Sequence, residues 1–251
     1  MPEIPNRALA AARSSPEAIF ATTSWTLVVA AGGRCTPESA QALEELCRIY
    51  WYPLYAYVRR RGHSREDAED LTQGFFARFL RKNYLEGLDT GRGRFRAYLL
   101  AALKNHLANE WQAASRLKRG GEAAHLSLDW QEGETRFQIA DAGQLAPDAA
   151  YDREWATALL ARVVGILREE WTRDGKRDRF ERLKSFLSVE AKAVPYATLA
   201  AELEIEEGAL RVAVHRLRKR YRELLKLEVA RTLADPAMVD EELQALMAVF
   251  A

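Results

Sequence analysis

The chain has 251 residues, and its 37 Lys and Arg side chains nearly balance its 36 Asp and Glu side chains, so the net charge is +1. A chain of this length forms either one large domain or two small ones. The small net charge excludes a polycation along the whole chain, although basic residues cluster locally.

The sequence predicts neither a metal site nor a membrane protein. Cys35 and Cys47, with four scattered histidines, lack the spacing of a zinc site or a disulfide framework. The apolar run at 27–31 is far shorter than the roughly 20 residues that span a bilayer. No signal-peptide pattern, phosphate-binding glycine loop or catalytic motif is found. We therefore expect a cytoplasmic protein that is not an enzyme and carries no cofactor.

Residues 1–36 are predicted to be an N-terminal extension, followed by an all-α chain. Thr36 and Pro37 mark the start of a first helix, Pro53 is expected to kink or split it, and Gly62 ends it. Ser64 is predicted to cap a second helix at about 65–82, with Asp67 completing a short capping box.

The second helix has two contrasting faces. Its core face is predicted to contain Ala68, Leu71, Phe75 and Phe79. The opposite face contains Glu66, Glu69, Asp70 and Gln73, and Phe76 and Leu80 fall on that acidic side. An acidic face bordered by exposed apolar residues indicates a partner-binding surface, with burial of Phe76 under another helix as the open alternative.

A third helix, predicted at 94–119, holds to the core through Phe95, Leu99, Leu103 and Leu107. Its other face combines amides, an aromatic ring and cations, which suits nucleic acid better than plain solvation. The residues of that face are Tyr98, Lys104, Asn105, Asn109, Gln112, Ser115, Arg116 and Arg119.

Residues 121–150 are predicted to be an acidic flexible linker between two small helical domains at 37–120 and 151–233. Within the linker, the segments SLDW and TRFQIA are expected to be short strands or turns. In the second domain, Asp152 is predicted to cap a helix, and 175–187 is a short amphipathic helix. A last helix is expected at 238–250, after Asp235 and Pro236, within a C-terminal segment at 234–251.

The segment 196–226 has the pattern of a helix-turn-helix. Leu199 and Leu203 belong to the first helix, and Ile205 is predicted to be buried in the turn. Glu204 stands where glycine is usual, so we expect either mild backbone strain there or a turn of a different shape. The second helix has an apolar stripe at Leu210, Val214, Leu217, Tyr221 and Leu224. Opposite this stripe lie Arg211, His215, Arg218, Lys219 and Arg222.

Three motifs in this order resemble those of bacterial RNA polymerase sigma factors of the extracytoplasmic-function type. They are EDAEDLTQGFFARFL at 66–80, GRGRFRAYLLAALKNHLAN at 91–109 and YATLAAELEIEEGALRVAVHRLRKRYREL at 196–224. The resemblance implies a promoter-specificity subunit whose partners are promoter DNA and the β′ and β subunits of core RNA polymerase. It leaves open an anti-sigma factor as a further partner.

The resemblance also implies residue roles. Polymerase binding would involve Glu66, Asp70, Leu71, Gln73 and Phe76. DNA binding would involve Tyr98, Lys104, Asn105, Asn109, Arg116, Arg211, His215, Arg216, Arg218 and Lys219. Glu204 and Ala213 depart from the family pattern, as do the two terminal segments. A helix-turn-helix regulator that acts without polymerase is the alternative function.

Overall fold

A computed structural model describes residues 37–81, 94–114, 129–140, 145–187 and 195–250. Within these ranges the chain is helical, which confirms the predicted all-α class. The first five helices are α1 (Pro37–Arg60), α2 (Arg65–Arg81), α3 (Phe95–Ala114), α4 (Trp130–Ala140) and α5 (Pro147–Arg173). They are followed by α6 (Arg177–Leu183), a 3-10 turn (Lys184–Leu187), α7 (Tyr196–Glu202), α8 (Glu207–Ala230), a second 3-10 turn (Pro236–Met238) and α9 (Val239–Ala248).

The core is built around α1 and α5, which form the most extensive helix contact among the described residues. Tyr50 and Leu54 of α1 are fully buried, as are Tyr151 and Trp155 of α5. Helix α2 covers another side of α1, and α8 packs on α5. Helices from both predicted domains therefore contribute to one hydrophobic cluster in this conformation, and the boundaries at 37–120 and 151–233 stay a prediction.

Two helix boundaries follow the sequence signals closely. Gly62 adopts φ +91° and its N–H donates to the carbonyl of Arg59 at 3.0 Å, so glycine ends α1 as predicted. The Ser64 Oγ accepts from the backbone N–H of Asp67 at 3.1 Å and donates to its carboxylate at 2.8 Å. This is the expected cap of α2.

Part of the predicted linker is a helix, so the expectation of strands or turns in TRFQIA was wrong. Helix α4 packs on α1, where the ring of Trp130 meets Trp51 edge-on at 5.5 Å. An added Cβ at Gly133 would lie 2.9 Å from Trp51, so glycine permits this close approach. The buried Glu134 accepts from Arg59 at 2.9 and 3.1 Å and also from the Tyr55 hydroxyl. Because these contacts with α1 stabilise α4 more than an apolar stripe of its own does, the hydrophobic periodicity of the sequence did not predict this helix.

Helix α5 also begins earlier than predicted. It starts at Pro147, with Ala146 as its cap residue, instead of at Asp152. Proline is preorganised for the first helical position, and Asp148 places a carboxylate in the first turn. These signals outweighed the cap expected at Asp152, whose carboxylate pairs with Arg96 of α3.

The C-terminal segment ties α3 to the end of α8. The Phe95 N–H donates to the carbonyl of Thr232 at 3.0 Å, and Arg94 forms an isolated β-bridge with Leu233. Glu242 of α9 is fully buried, and its carboxylate accepts from Arg94 at 2.8 Å and from Arg96 at 2.6 Å. We call these three residues the Glu242 clasp.

Candidate functional site

The exposed acidic residues of α2 lie on the side away from the core. Glu66 and Asp70 are exposed, and Leu71 and Gln73 are half-buried. Arg65 pairs with Glu69 one turn later at 2.7 Å, which partly neutralises the edge of this face. Glu66, Asp70 and Gln73 therefore share one accessible strip, whereas Leu71 lies on the core face as predicted and packs against the core.

Phe76 does not belong to that strip, so the expectation that it lies with the acidic side was wrong. Its side chain is 1% exposed, and its ring meets Phe75 at 5.4 Å. Helix α2 contacts both α1 and α3, so its buried surface is wider than a single apolar stripe. Phe76 contributes to the packing of α2, but its buried side chain cannot contact a partner in this conformation.

The polar face of α3 is accessible in its central turns. Lys104, Asn105 and Asn109 are exposed, whereas Tyr98 is half-buried with its ring 6.2 Å from Phe79. Arg116 lies outside the described residues. The two amides and the cation therefore lie at one surface, with Tyr98 at its inner border.

Lys104 already has an acidic neighbour. Its ammonium lies 2.6 Å from the carboxylate of Asp148 at the start of α5, and this hydrogen bond raises the pKa of Lys104. Both side chains are largely exposed, and such surface pairs contribute at most about 1 kcal/mol. A phosphate could replace Asp148 at little cost.

His106 was not singled out from the sequence, yet it is the buried polar residue nearest to the amides of this face. It is 5% exposed, and its ring lies 5.8 Å from that of Phe75. Burial lowers the pKa of His106, and the neighbouring Glu110 only partly opposes this effect. Its spacing of three residues from Leu103 and seven from Leu99 places it on the apolar face of α3, and this spacing was a sequence signal for burial.

The turn between α7 and α8 contains one residue with a positive φ and two backbone hydrogen bonds that end α7. Glu204 adopts φ +53°, which confirms the predicted strain at a position that favours glycine. The N–H of Ile205 donates to Ala200 at 3.1 Å, and the N–H of Glu204 donates to Ala201 at 3.2 Å. This pair of bonds is a Schellman motif that ends α7, with Ile205 half-buried against the core.

Helix α8 is apolar on one side and basic on the other. Leu210, Val214, Leu217 and Leu224 are at most 3% exposed, and Tyr221 is half-buried, as the stripe predicts. The exposed cations of the opposite side are Arg211, His215, Arg216, Arg218, Lys219 and Arg222 (histidine counts here when protonated). This basic face extends from Arg211 to Arg222, about three turns of α8.

Two of the predicted DNA-binding arginines have contacts within the chain. Arg211 donates to Glu207 at 3.0 Å and lies over the Tyr196 ring at 4.8 Å. Arg218 donates to the carbonyl of Phe186 at 3.0 Å. The pairing of Arg211 with Glu207 follows from their i,i+4 spacing, whereas the contacts with Tyr196 and Phe186 depend on the fold.

No cluster of metal-ligating side chains occurs among the described residues. Within the same parts of the chain, the search for a helix that could cross a membrane finds none.

The comparison with known families identifies the first part of this arrangement. Residues 50–117 match the family model of sigma-70 region 2, which spans the second half of α1, all of α2 and all of α3. No curated protein matches the chain, and no solved structure does. The acidic strip of α2 and the amide-bearing face of α3 thus both lie within the matched segment. This match shows that the segment at 50–117 is similar to region 2 of the sigma-70 factors.

Proposed function

We propose that the chain is a promoter-specificity subunit of the compact extracytoplasmic-function type, which binds core RNA polymerase and directs transcription initiation without catalysing a reaction itself. The observation that carries this proposal is the match of 50–117 to sigma-70 region 2. The helix-turn-helix pattern at 196–226 follows it in the order that such a subunit needs.

For the polymerase contact, we assign the accessible strip of α2. Glu66 and Asp70 are exposed carboxylates, and the neighbouring Leu71 is half-buried. Exposed charges of one sign steer association with an oppositely charged surface and suppress wrong partners. A basic groove on the polymerase β′ subunit is the complementary partner.

For promoter DNA, we assign two surfaces. Lys104, Asn105 and Asn109 of α3 would contact the unwound minus-ten strand, because amides read base edges and cations hold phosphates. The basic face of α8 would enter the major groove of the upstream element. Arg216 and Lys219 are exposed there, and we assign them to phosphates, whereas the oriented Arg211 is placed to contact a base edge.

The test is a pull-down with purified core polymerase, followed by run-off transcription on templates with randomised promoters. We expect stable association and transcripts that share two sequence blocks. The double variant Glu66→Gln/Asp70→Asn should weaken association, while Asp174→Asn, an exposed carboxylate on the turn after α5, should not. Duplex binding without any polymerase association would instead support a helix-turn-helix regulator.

A further inference from the structure

Val212 interrupts the basic face of α8 with an apolar side chain. It is 51% exposed, and α8, described throughout, has no other large apolar side chain that is mainly exposed. A β-branched residue is also a poor helix former, because the helix restricts its χ1 angle. Neither packing nor helix stability accounts for valine at this position.

The surroundings of Val212 form a shallow apolar saddle. Gly208 and Ala209, one turn earlier on the same face, are exposed and small, and a Cβ added at Gly208 would meet nothing within 4 Å. Helical side chains lean toward the N-terminus, so the Val212 methyl groups lie over this low part of the helix. The exposed His215 and Arg216 border the saddle one turn later.

We propose that Val212 is a specificity-determining residue that contacts the C5-methyl group of a thymine in the major groove. Thymine is the base that presents an apolar group on the major-groove edge, and small aliphatic side chains are its usual contacts. Because Gly208 and Ala209 have small side chains, the helix backbone can approach the base edges closely at this point. This inference rests on the proposed function, since it requires α8 to enter the groove of the upstream element.

If Val212 makes this contact, the complex should prefer thymine at one position, and the C5-methyl group alone should account for that preference. Burying one methyl group contributes roughly 0.8 kcal/mol, which corresponds to about a fourfold change in affinity. Loss of a phosphate contact would instead weaken binding to all sequences about equally. The two roles therefore differ in sequence dependence as well as in size.

The experiment uses the full chain assembled with core polymerase. The upstream element is first selected from random templates, and each of its thymines is then replaced by deoxyuridine, which lacks only the methyl group. We expect one replacement to lower the affinity of the wild-type complex about fourfold. Val212→Ala should bind the thymine and deoxyuridine templates equally at that position, and Val212→Thr, which keeps one methyl group, should retain part of the difference.

Lys219→Ala is the matched control on the same face, and it should keep the full thymine preference while binding more weakly to every template. The inference is overturned by any of three results. These are a selected element without thymine, a wild-type complex that ignores every deoxyuridine, or a preference that Val212→Ala retains. Failure to select any element or transcript would instead contradict the proposed function itself, so the two failures are distinguishable.

Discussion

Replacing Glu242 with glutamine tests whether the Glu242 clasp holds the C-terminal segment on α3. The carboxylate is fully buried and bridges two arginines, with distances of 2.8 Å to Arg94 and 2.6 Å to Arg96. Burial disfavours the charge on Arg96, but its hydrogen bonds to Glu242 and Asp152 raise its pKa. Glutamine keeps the shape of the side chain and removes the charge that compensates these cations.

The expected loss of unfolding free energy depends on how well Arg94 and Arg96 remain paired or hydrated in the variant. Removing one member of a fully buried ion pair costs about 3–5 kcal/mol, because the other charge is left unpaired in a low-dielectric site. Here Arg94 is 28% exposed and can be hydrated, and Arg96 keeps Asp152. We therefore expect a loss of about 2–3 kcal/mol in unfolding free energy, or a melting temperature about 5–10 °C lower for a chain of this size.

Urea unfolding of Glu242→Gln and Glu241→Gln provides a matched comparison. Glu241 also pairs with Arg94, but its side chain is 59% exposed, and an exposed pair contributes at most about 1 kcal/mol. Amide exchange adds a local readout, because the Phe95 N–H donates across the same interface to Thr232. Its protection should fall in Glu242→Gln and stay nearly unchanged in Glu241→Gln.

A double-mutant cycle separates the ion pair from general disruption. Arg96→Met combined with Glu242→Gln should show a coupling energy of at least about 1 kcal/mol, as for residues in direct contact. Arg96 also lies over the Trp155 ring at 4.9 Å. Loss of this contact occurs in both Arg96 variants, so it cancels from the coupling energy. Equal stability of Glu242→Gln and Glu241→Gln, or strict additivity in the cycle, would refute the reasoning.

Three further changes test local features of the fold. Gly133→Ala should lower the melting temperature, because the added Cβ would lie 2.9 Å from Trp51. Gly165→Ala, where the added Cβ meets open space, should instead stabilise its helix by about 0.5–1 kcal/mol. A stabilising Gly133→Ala with a destabilising Gly165→Ala would contradict the close approach of α4 to Trp51. Glu204→Gly should raise the unfolding free energy by about 1 kcal/mol by relieving the positive φ, and Glu204→Ala, which keeps a Cβ, should show no such gain in urea titrations. Burial lowers the pKa of His106 below its usual 6.5, so the unfolded chain takes up a proton first as the pH falls. Stability should therefore decline from about pH 7.5 to 5.5 more steeply in the wild type than in His106→Gln, and equal slopes would show that burial of this histidine has no such effect.

The sequence predicted best where a local signal and the tertiary contacts agree. The stripe from Leu210 to Leu224 marks both a helix and its buried face, and Ser64 caps α2 through an interaction within one turn. Glu204 was recognised as strained because backbone conformation depends on the residue itself.

The sequence predicted poorly where a distant partner decides the environment. Phe76 is buried because α2 is covered by two helices, and no helical wheel contains that information. Helix α4 carries a glycine and few apolar residues, and it is held by Trp51 and by the pairing of Glu134 with Arg59. The role of Glu242 was also missed, since an acidic residue that follows Asp240 and Glu241 in the first turn of a helix is expected to be solvated, and only the fold places Arg94 and Arg96 beside it.

The shared core has a consequence for how the two proposed DNA-binding surfaces can act together. Tyr50 lies within the matched region and packs edge-on against Phe95 at 5.0 Å. Its helix, α1, is covered by α5, which lies outside the matched region. Separating α1 and α3 from α5, α8 and α9 would therefore expose the α1–α5 contact and also break the Glu242 clasp. A partner can drive such a separation only through a difference in its binding free energy for the open and closed arrangements. A variant that weakens the clasp lowers that requirement, so Glu242→Gln should bind core polymerase at lower concentration than Glu241→Gln does if opening accompanies assembly. Equal polymerase affinities of the two variants would show that the closed arrangement persists on binding.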